Sequence, residues 1–195
     1  MAVVSIKNKL RRGNLLVGNT AYDPAAIDSI ATVTVGSGGS STITFSSIPS
    51  TYTHLQVRAI SRTSRAAGND PIYIRLNSDS GNNYAWHAIE GNGSSVTAYG
   101  YASQAQGWIY IAADSNSPSN VFGANVTDIL DYANTNKYKT VRNIGGVDNN
   151  GSGVIGFDSV LWQNTNAITS ISFTNLSGTN FAQYSHFALY GVKSA

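Results

Sequence analysis

The sequence predicts an all-β protein, an antiparallel β-sandwich of the jelly-roll kind with an extended N-terminal arm. Short segments of alternating apolar and polar residues recur at a spacing of roughly 8–14 residues. Clusters of Gly, Ser and Asn separate these segments, and no amphipathic helix of ordinary length is visible. A chain of 195 residues suits one domain plus an arm. We therefore place the arm at residues 1–28 and the sandwich at residues 29–195.

The arm is basic and poorly periodic. Its apolar residues fit neither the helical nor the strand period, and Gly13, Gly18 and Pro24 interrupt any long helix. Three roles compete for it: an arm on nucleic acid, a targeting peptide, or a strap onto a protein partner. Its candidate partner-binding residues are Lys7, Lys9, Leu10, Arg11, Arg12, Leu15 and Leu16.

The charge distribution favours the protein-binding strap. Four of the twelve basic residues precede residue 13, which leaves eight basic and ten acidic residues in the rest of the chain. A nucleic-acid-binding body should carry a basic face, and this composition indicates none. The apolar stretch "NLLVG" is shorter than the roughly 7–15 residues of a signal-peptide core. We therefore expect the arm to dock on protein, with basic residues on an acidic surface and apolar residues in grooves.

The body contains about eleven or twelve strand candidates. "HLQVRAI", for example, places Leu55 and Val57 opposite Gln56 and Arg58, and "DNNGSG" is typical of a hairpin turn. In "VFGANVTDILDY", which Asp128 interrupts, an apolar face is predicted at Phe122, Ala124, Val126, Leu130 and Tyr132. The candidate segments are residues 29–35, 42–48, 54–60, 71–76, 84–89, 96–101, 107–112, 121–132, 138–147, 154–162, 167–173 and 185–192.

No motif in the chain indicates catalysis. There are no cysteines, and His54, His87 and His186 are far apart, without the local spacing of a metal site. No nucleophile elbow, phosphate-binding loop or dinucleotide fingerprint occurs. No apolar run approaches the roughly 18 residues of a membrane span. We therefore expect a protein that is not an enzyme and uses no cofactor, metal or membrane.

Aromatic residues recur two apart in three successive strand candidates, so that each pair shares a face of its strand. Such platforms can stack on sugar rings, and they can equally fill a core or an interface between subunits. Both faces of "GWIYIA" are apolar, which favours burial on both sides and hence a subunit interface. Candidates for an interface or a glycan-binding face are Tyr84, Trp86, Trp108 and Tyr110.

Three stretches resemble structural proteins of tailed bacteriophages, including cyanophages and marine phages. They are "SIATVTVGSGGSSTITFSSIPSTYTHLQVR" (29–58), "RLNSDSGNNYAWHAIEGNGSS" (75–95) and "SHFALYGVK" (185–193). The resemblance implies a virion protein of the phage head, made in the host cytoplasm. It would be a capsid cement (decoration) protein that binds the major capsid protein and forms a homo-oligomer such as a trimer. The alternative is a tail or fibre module that binds host-surface glycan. The resemblance carries no functional residue across.

Overall fold

The computed structural model describes residues 15–17, 20–22, 26–67, 70–176 and 178–193. This part of the chain contains fourteen strands and no helix. This confirms the all-β prediction. The strands are β1 (Leu15–Val17), β2 (Thr20–Tyr22), β3 (Ile27–Thr34), β4 (Ile43–Phe45), β5 (His54–Ser61), β6 (Asp70–Leu76), β7 (Tyr84–Gly91), β8 (Val96–Gln104), β9 (Gly107–Ala112), β10 (Gly123–Leu130), β11 (Lys139–Asp148), β12 (Gly153–Trp162), β13 (Ile171–Asn175) and β14 (His186–Val192).

Eight of these strands form a jelly roll. One sheet contains β3, β14, β5 and β10 in that order, and the facing sheet contains β4, β13, β6 and β9. In chain order the eight strands are β3, β4, β5, β6, β9, β10, β13 and β14. Each step along this order crosses from one sheet to the other, except the step from β6 to β9, which stays in the smaller sheet. This is the double-sheet connectivity of a jelly roll, and all pairings within the two sheets are antiparallel. The predicted sandwich architecture is confirmed.

Two additional hairpins widen the first sheet. The β7–β8 hairpin is inserted between β6 and β9, and β11–β12 follows β10. Because β12 pairs with β7, the sheet continues beyond β10 as β11, β12, β7 and β8, and reaches eight strands. Strand β9 contacts β10, β11, β12 and β7 from the smaller sheet. The added strands therefore share the core, with β8 at the far edge.

The core lies between the two sheets and follows the alternation of the strands. Leu55 and Val57 of β5 belong to the same core cluster as Ile72 and Ile74 of β6, and each of the four residues is at most 1% exposed. Their sequence neighbours point to the opposite side of each strand. The alternation predicted for "HLQVRAI" is thus the alternation observed.

Strand β10 turns the apolar side of its predicted alternation away from the core. Of the residues predicted to form one apolar face, Val126 and Leu130 are exposed, while Asn125 and Thr127 point inward. The buried hydroxyl is satisfied, because Thr127 Oγ1 donates to Asn143 Oδ1 over 2.8 Å. Buried polar groups are tolerated when they are hydrogen-bonded in this way. The predicted alternation is present within β10, while Tyr132, which lies beyond the end of the strand, is fully buried. Apolar periodicity alone does not show which side of a strand faces the core.

Candidate interaction surface

The outer side of the eight-stranded sheet, which the smaller sheet does not cover, carries large apolar side chains in register. In one cross-strand row Val126 lies opposite Ile144, Ile144 opposite Phe157, and Phe157 opposite Ile89. Directly opposed residues have Cβ atoms about 4.5–5.5 Å apart, so these four side chains form a continuous stripe. A second cross-strand row, displaced by two residues along each strand, includes Ile60, Ile155 and Val96. We call these seven residues the outer apolar face.

The outer apolar face is large for a surface patch. Its least exposed member is Val126 at 36%, and its most exposed is Val96 at 70%. Together the seven residues, backbone included, expose roughly 600 Å², the upper end of the about 300–600 Å² of the largest apolar patch on a typical monomer. Five of the seven lie on the strands added to the jelly roll. The added hairpins therefore both widen the sheet and provide most of its apolar surface.

A third row of residues borders the outer apolar face with polar groups. Gln56 Nε2 donates to Asp128 Oδ1 over 2.8 Å, and Arg58 Nε donates to Gln56 Oε1 over 2.8 Å. Arg142 lies opposite Asp128 and donates to Ser159. Gln56, Asp128, Arg142 and Ser159 form this row, whereas Arg58 lies opposite Val126 at the end of the first row, so the border carries two cations and one anion. Charged groups are costly to desolvate even when they are paired, so this border suits the hydrated rim of an interface. An apolar centre with a polar border is the usual arrangement of a protein interface.

A groove of about 560 Å³ lies at the turn end of this surface, between the β7–β8 turn and the β11–β12 turn. Gly91, Gly146 and Ile155 line it and belong to the second cross-strand row. A side chain at Gly146 has no room, since its Cβ would lie 2.6 Å from the Val154 carbonyl oxygen. The glycines thus leave a recess beside exposed Ile155.

The predicted arm residues fall largely outside the described part of the chain. Lys7, Lys9, Leu10, Arg11 and Arg12 all lie outside it, and their role stays a prediction. Leu15 and Leu16 belong to β1, whose backbone pairs with β2 in a short antiparallel hairpin. The predicted boundary at residue 28 falls inside β3, which begins at Ile27.

The structure distributes the predicted aromatic residues between the core and the surface. Tyr84 is fully buried, its hydroxyl accepts from the Leu76 N–H over 2.9 Å, and burial raises the pKa of Tyr84 to about 12. Trp86 is 5% exposed, with ring centroids 4.8 Å from Trp108 and 4.6 Å from Tyr101. Trp108 is half-buried. For Tyr110 only the position in β9 is described.

A small cleft adjoins the exposed end of this aromatic group. It measures about 260 Å³, and Arg65, Glu90, Tyr99 and Trp108 help to line it. The Tyr99 hydroxyl donates to Glu90 Oε1 over 2.9 Å, and this hydrogen bond raises the pKa of Tyr99. An aromatic wall beside a carboxylate provides one stacking partner and one hydrogen-bond acceptor for a polar ring.

The other charged side chains with many polar contacts hold the fold together. Buried Lys139 donates from Nζ to the Asn134, Lys137 and Thr165 carbonyl oxygens over 2.6–2.9 Å, and burial lowers its pKa. The Arg62 guanidinium donates to three carbonyl oxygens of residues 117–121. Both cations therefore tie loops to strands.

Within the described ranges no group of three or more His, Asp or Glu side chains is placed to hold a metal ion. The same part of the chain has no helix long and apolar enough to cross a membrane. No protein-family model, curated protein or solved structure matches the chain. We take the outer apolar face as the candidate site, because its exposed apolar residues lie in register across four strands.

Sequence reasoning did not identify the outer apolar face as a site. The useful signal was that several strands carry apolar residues on both sides. In "VIGFDSVLW", Ile155 and Phe157 alternate with Gly156 and Asp158, while Val160 and Trp162 occupy the opposite phase. A strand that changes phase in this way has apolar groups to bury on both faces.

Proposed function

We propose that this protein is a non-enzymatic structural protein that attaches to a larger protein assembly through its outer apolar face. Following the resemblance described above, the assembly is the head shell of a tailed bacteriophage, and the protein acts as a capsid cement protein. The observation that carries the proposal is the in-register apolar stripe of Val126, Ile144, Phe157 and Ile89 on the uncovered side of the sheet.

The size of the surface supports attachment to a large partner. Complete burial of roughly 600 Å² would contribute at most about 15 kcal/mol at about 25 cal/mol per Å². Association costs about 4–15 kcal/mol in lost translational and rotational freedom. The face alone therefore yields modest affinity. A second attachment through the arm would raise the affinity by increasing the effective concentration of the face at the shell.

The proposal is tested by co-sedimentation of the purified protein with phage heads that lack it. Ile144→Ser combined with Phe157→Ser should reduce the bound fraction at least tenfold, because two central apolar contacts are lost. Tyr138→Ser is the matched control, since Tyr138 is 52% exposed, comparable to Phe157 at 49%, but lies outside the face. Undiminished binding of the double variant would contradict the proposal.

The contribution of the arm is measured in the same assay. Deletion of residues 1–24 should abolish binding to heads while the body stays folded, as judged by its far-ultraviolet circular dichroism. Binding that persists at the wild-type level would remove the arm from the proposal and leave the face as the attachment site.

The cleft beside Trp108 supports a second candidate function, a tail or fibre module that binds host-surface glycan. The observation in its favour is the half-buried Trp108 next to the Tyr99–Glu90 pair. A glycan array probed with wild type, Trp108→Ala and Tyr138→Ser distinguishes the functions. Glycan binding that only Trp108→Ala removes would favour this candidate, and absence of any glycan signal would eliminate it.

A further inference from the structure

Strand β8 is a free edge of the large sheet. Among the described residues it pairs with β7 on one side and with no strand on the other. Every residue from Val96 to Ser103 is exposed. An edge strand presents a row of unpaired N–H and C=O groups, and proteins usually protect such edges with charges, proline, bulges or short length. Strand β8 has nine residues and contains neither a charged residue nor a proline. Its one irregularity is a bulge between Tyr101 and Gln104, where Ser103 has a φ of 54°, so the regular edge runs from Val96 to Ala102.

The sequence of β8 is nearly symmetric about its centre. It reads "VTAYGYASQ", with Gly100 in the middle. Tyr99 and Tyr101 flank the glycine, and Ala98 and Ala102 follow, so the symmetric stretch in regular strand geometry is residues 98–102. If two copies of this strand pair antiparallel about a two-fold axis at Gly100, each residue lies opposite the residue equally far from Gly100 on its other side, and the two are of similar type. Tyr99 then lies opposite Tyr101, and Ala98 opposite Ala102.

The geometry points to β8 as a self-pairing edge, through which two copies of this chain join their eight-stranded sheets into one continuous sheet. The two-fold arrangement is isologous, so it closes as a dimer and leaves no further edge of the same kind. Backbone hydrogen bonds between the two strands would satisfy the exposed groups of both.

The side chains of β8 suit this pairing on both faces. On the inner face, two cross-strand Tyr–Tyr pairs would form, and cross-strand aromatic pairs contribute roughly 0.2–1 kcal/mol each. Tyr101 and Tyr99 are 52% and 38% exposed and so retain surface to bury. On the outer face the contacts would be between small residues, Ala98, Gly100 and Ala102. The His87 ring lies over Gly100, where a Cβ would come within 2.7 Å of it.

Symmetry favours a second copy over an unrelated strand. An unrelated partner would need an apolar strand complementary to β8, whereas β8 already complements itself. No like charges would oppose each other, because the strand carries none. The two-fold axis stands perpendicular to the sheet, so both outer apolar faces would lie on the same side. If the proposed attachment to a shell is correct, the dimer would present two such faces to it; the pairing itself does not depend on that function.

The test uses the full chain and two variants with the same number of substitutions. Ala98→Lys with Ala102→Lys places lysine opposite lysine at both Ala98–Ala102 positions of the pair. Ala98→Lys with Ala102→Glu places lysine opposite glutamate at both. Residues 98 and 102 are exposed in the single chain, so both variants should fold, which circular dichroism checks. Mass is measured by sedimentation velocity over a dilution series.

We expect wild type and the Lys–Glu variant to sediment at twice the chain mass of 20.6 kDa. The Lys–Lys variant should still sediment at the single-chain mass at protein concentrations at least tenfold above those at which wild type dimerises. A wild type that stays monomeric at every concentration overturns the inference. An oligomer that the Lys–Lys variant leaves intact overturns it also, because the contact then lies elsewhere. If both variants are monomeric, the self-complementary register is wrong.

Discussion

The two faces of the eight-stranded sheet contrast most sharply across β10, β11 and β12, where a polar row lies on the buried side and an apolar row on the solvent side. Along the buried side a polar row crosses three strands: Thr127 donates to Asn143 Oδ1, and Asn143 Nδ2 donates to Asp158 Oδ2 over 2.9 Å. Along the solvent side an apolar row crosses the same strands. The adjacent pairs, polar residue first, are Thr127 with Val126, Asn143 with Ile144, and Asp158 with Phe157.

At this row the residues that turn inward are the polar ones, although the same strands bury Ile129, Val141 and Trp162 further along the inner face. Shifting the pairing register by one residue would exchange the two faces of a strand. Such a slip would bury the apolar row, but it would expose the polar row and break its hydrogen bonds. Thr127, Asn143 and Asp158 meet only in the observed register. We therefore infer that the buried polar row, together with buried Ile129, Val141 and Trp162, specifies the register and leaves the apolar row on the solvent side.

The largest expected effect is on the buried row. Asn143→Leu removes the groups that join Thr127 to Asp158 and leaves their side chains without these partners, so the free energy of unfolding should fall by about 3 kcal/mol. Urea unfolding followed by tryptophan fluorescence measures it. A change below about 1 kcal/mol would show that the row contributes little and would contradict its role in register.

An intermediate effect is expected at Asp79, which holds the inner-face residue Trp162. Trp162 Nε1 donates to Asp79 Oδ2 over 2.7 Å, and Asn83 and Gly81 donate to the same carboxylate. Burial tends to raise the pKa of Asp79, but these hydrogen bonds outweigh it and lower the pKa below the ordinary 3.8. Asp79→Asn should therefore reduce the free energy of unfolding by about 1 kcal/mol at neutral pH.

The stabilisation by Asp79 should depend on pH in a defined direction. Because the native pKa of Asp79 lies below the unfolded value, its stabilisation is complete above pH 3.8 and is lost as the pH falls through the native pKa. The wild type and Asp79→Asn should thus converge in acid. Unfolding free energies measured from pH 7 downward test this, and a difference that stays constant down to the lowest pH would show that the carboxylate charge is not the cause.

The smallest effect on stability is expected on the outer face. Phe157→Ser should lower the free energy of unfolding by no more than about 1 kcal/mol, because the residue is already 49% exposed and only the buried half of its surface is lost. The measurement is the same urea titration, with Asn143→Leu as the contrasting variant. A loss of 2 kcal/mol or more would mean that Phe157 stabilises the fold, and the apolar row would then no longer be a free surface.

Much of the fold follows from sequence, because alternation and turn clusters are local properties. The strands around Leu55, Ile74 and Phe187 could be predicted, since their apolar residues occupy the buried phase. The orientation of β10 could not, because Thr127 is stabilised inward by Asn143, a residue on another strand. The outer apolar face likewise depends on the pairing of hairpins far apart in sequence, such as β12 with β7. Periodicity contains no information about either pairing.

The central claim, that the outer apolar face docks on the shell, is tested most directly by hydroxyl-radical footprinting of the wild-type protein, free and bound to phage heads. Phe157 and Tyr138 are comparably exposed in the single chain, at 49% and 52%. We predict that oxidation of Phe157 falls at least fivefold on binding, while that of Tyr138 is unchanged. If Phe157 stays as reactive on the head as in solution, the outer apolar face is not the attachment site.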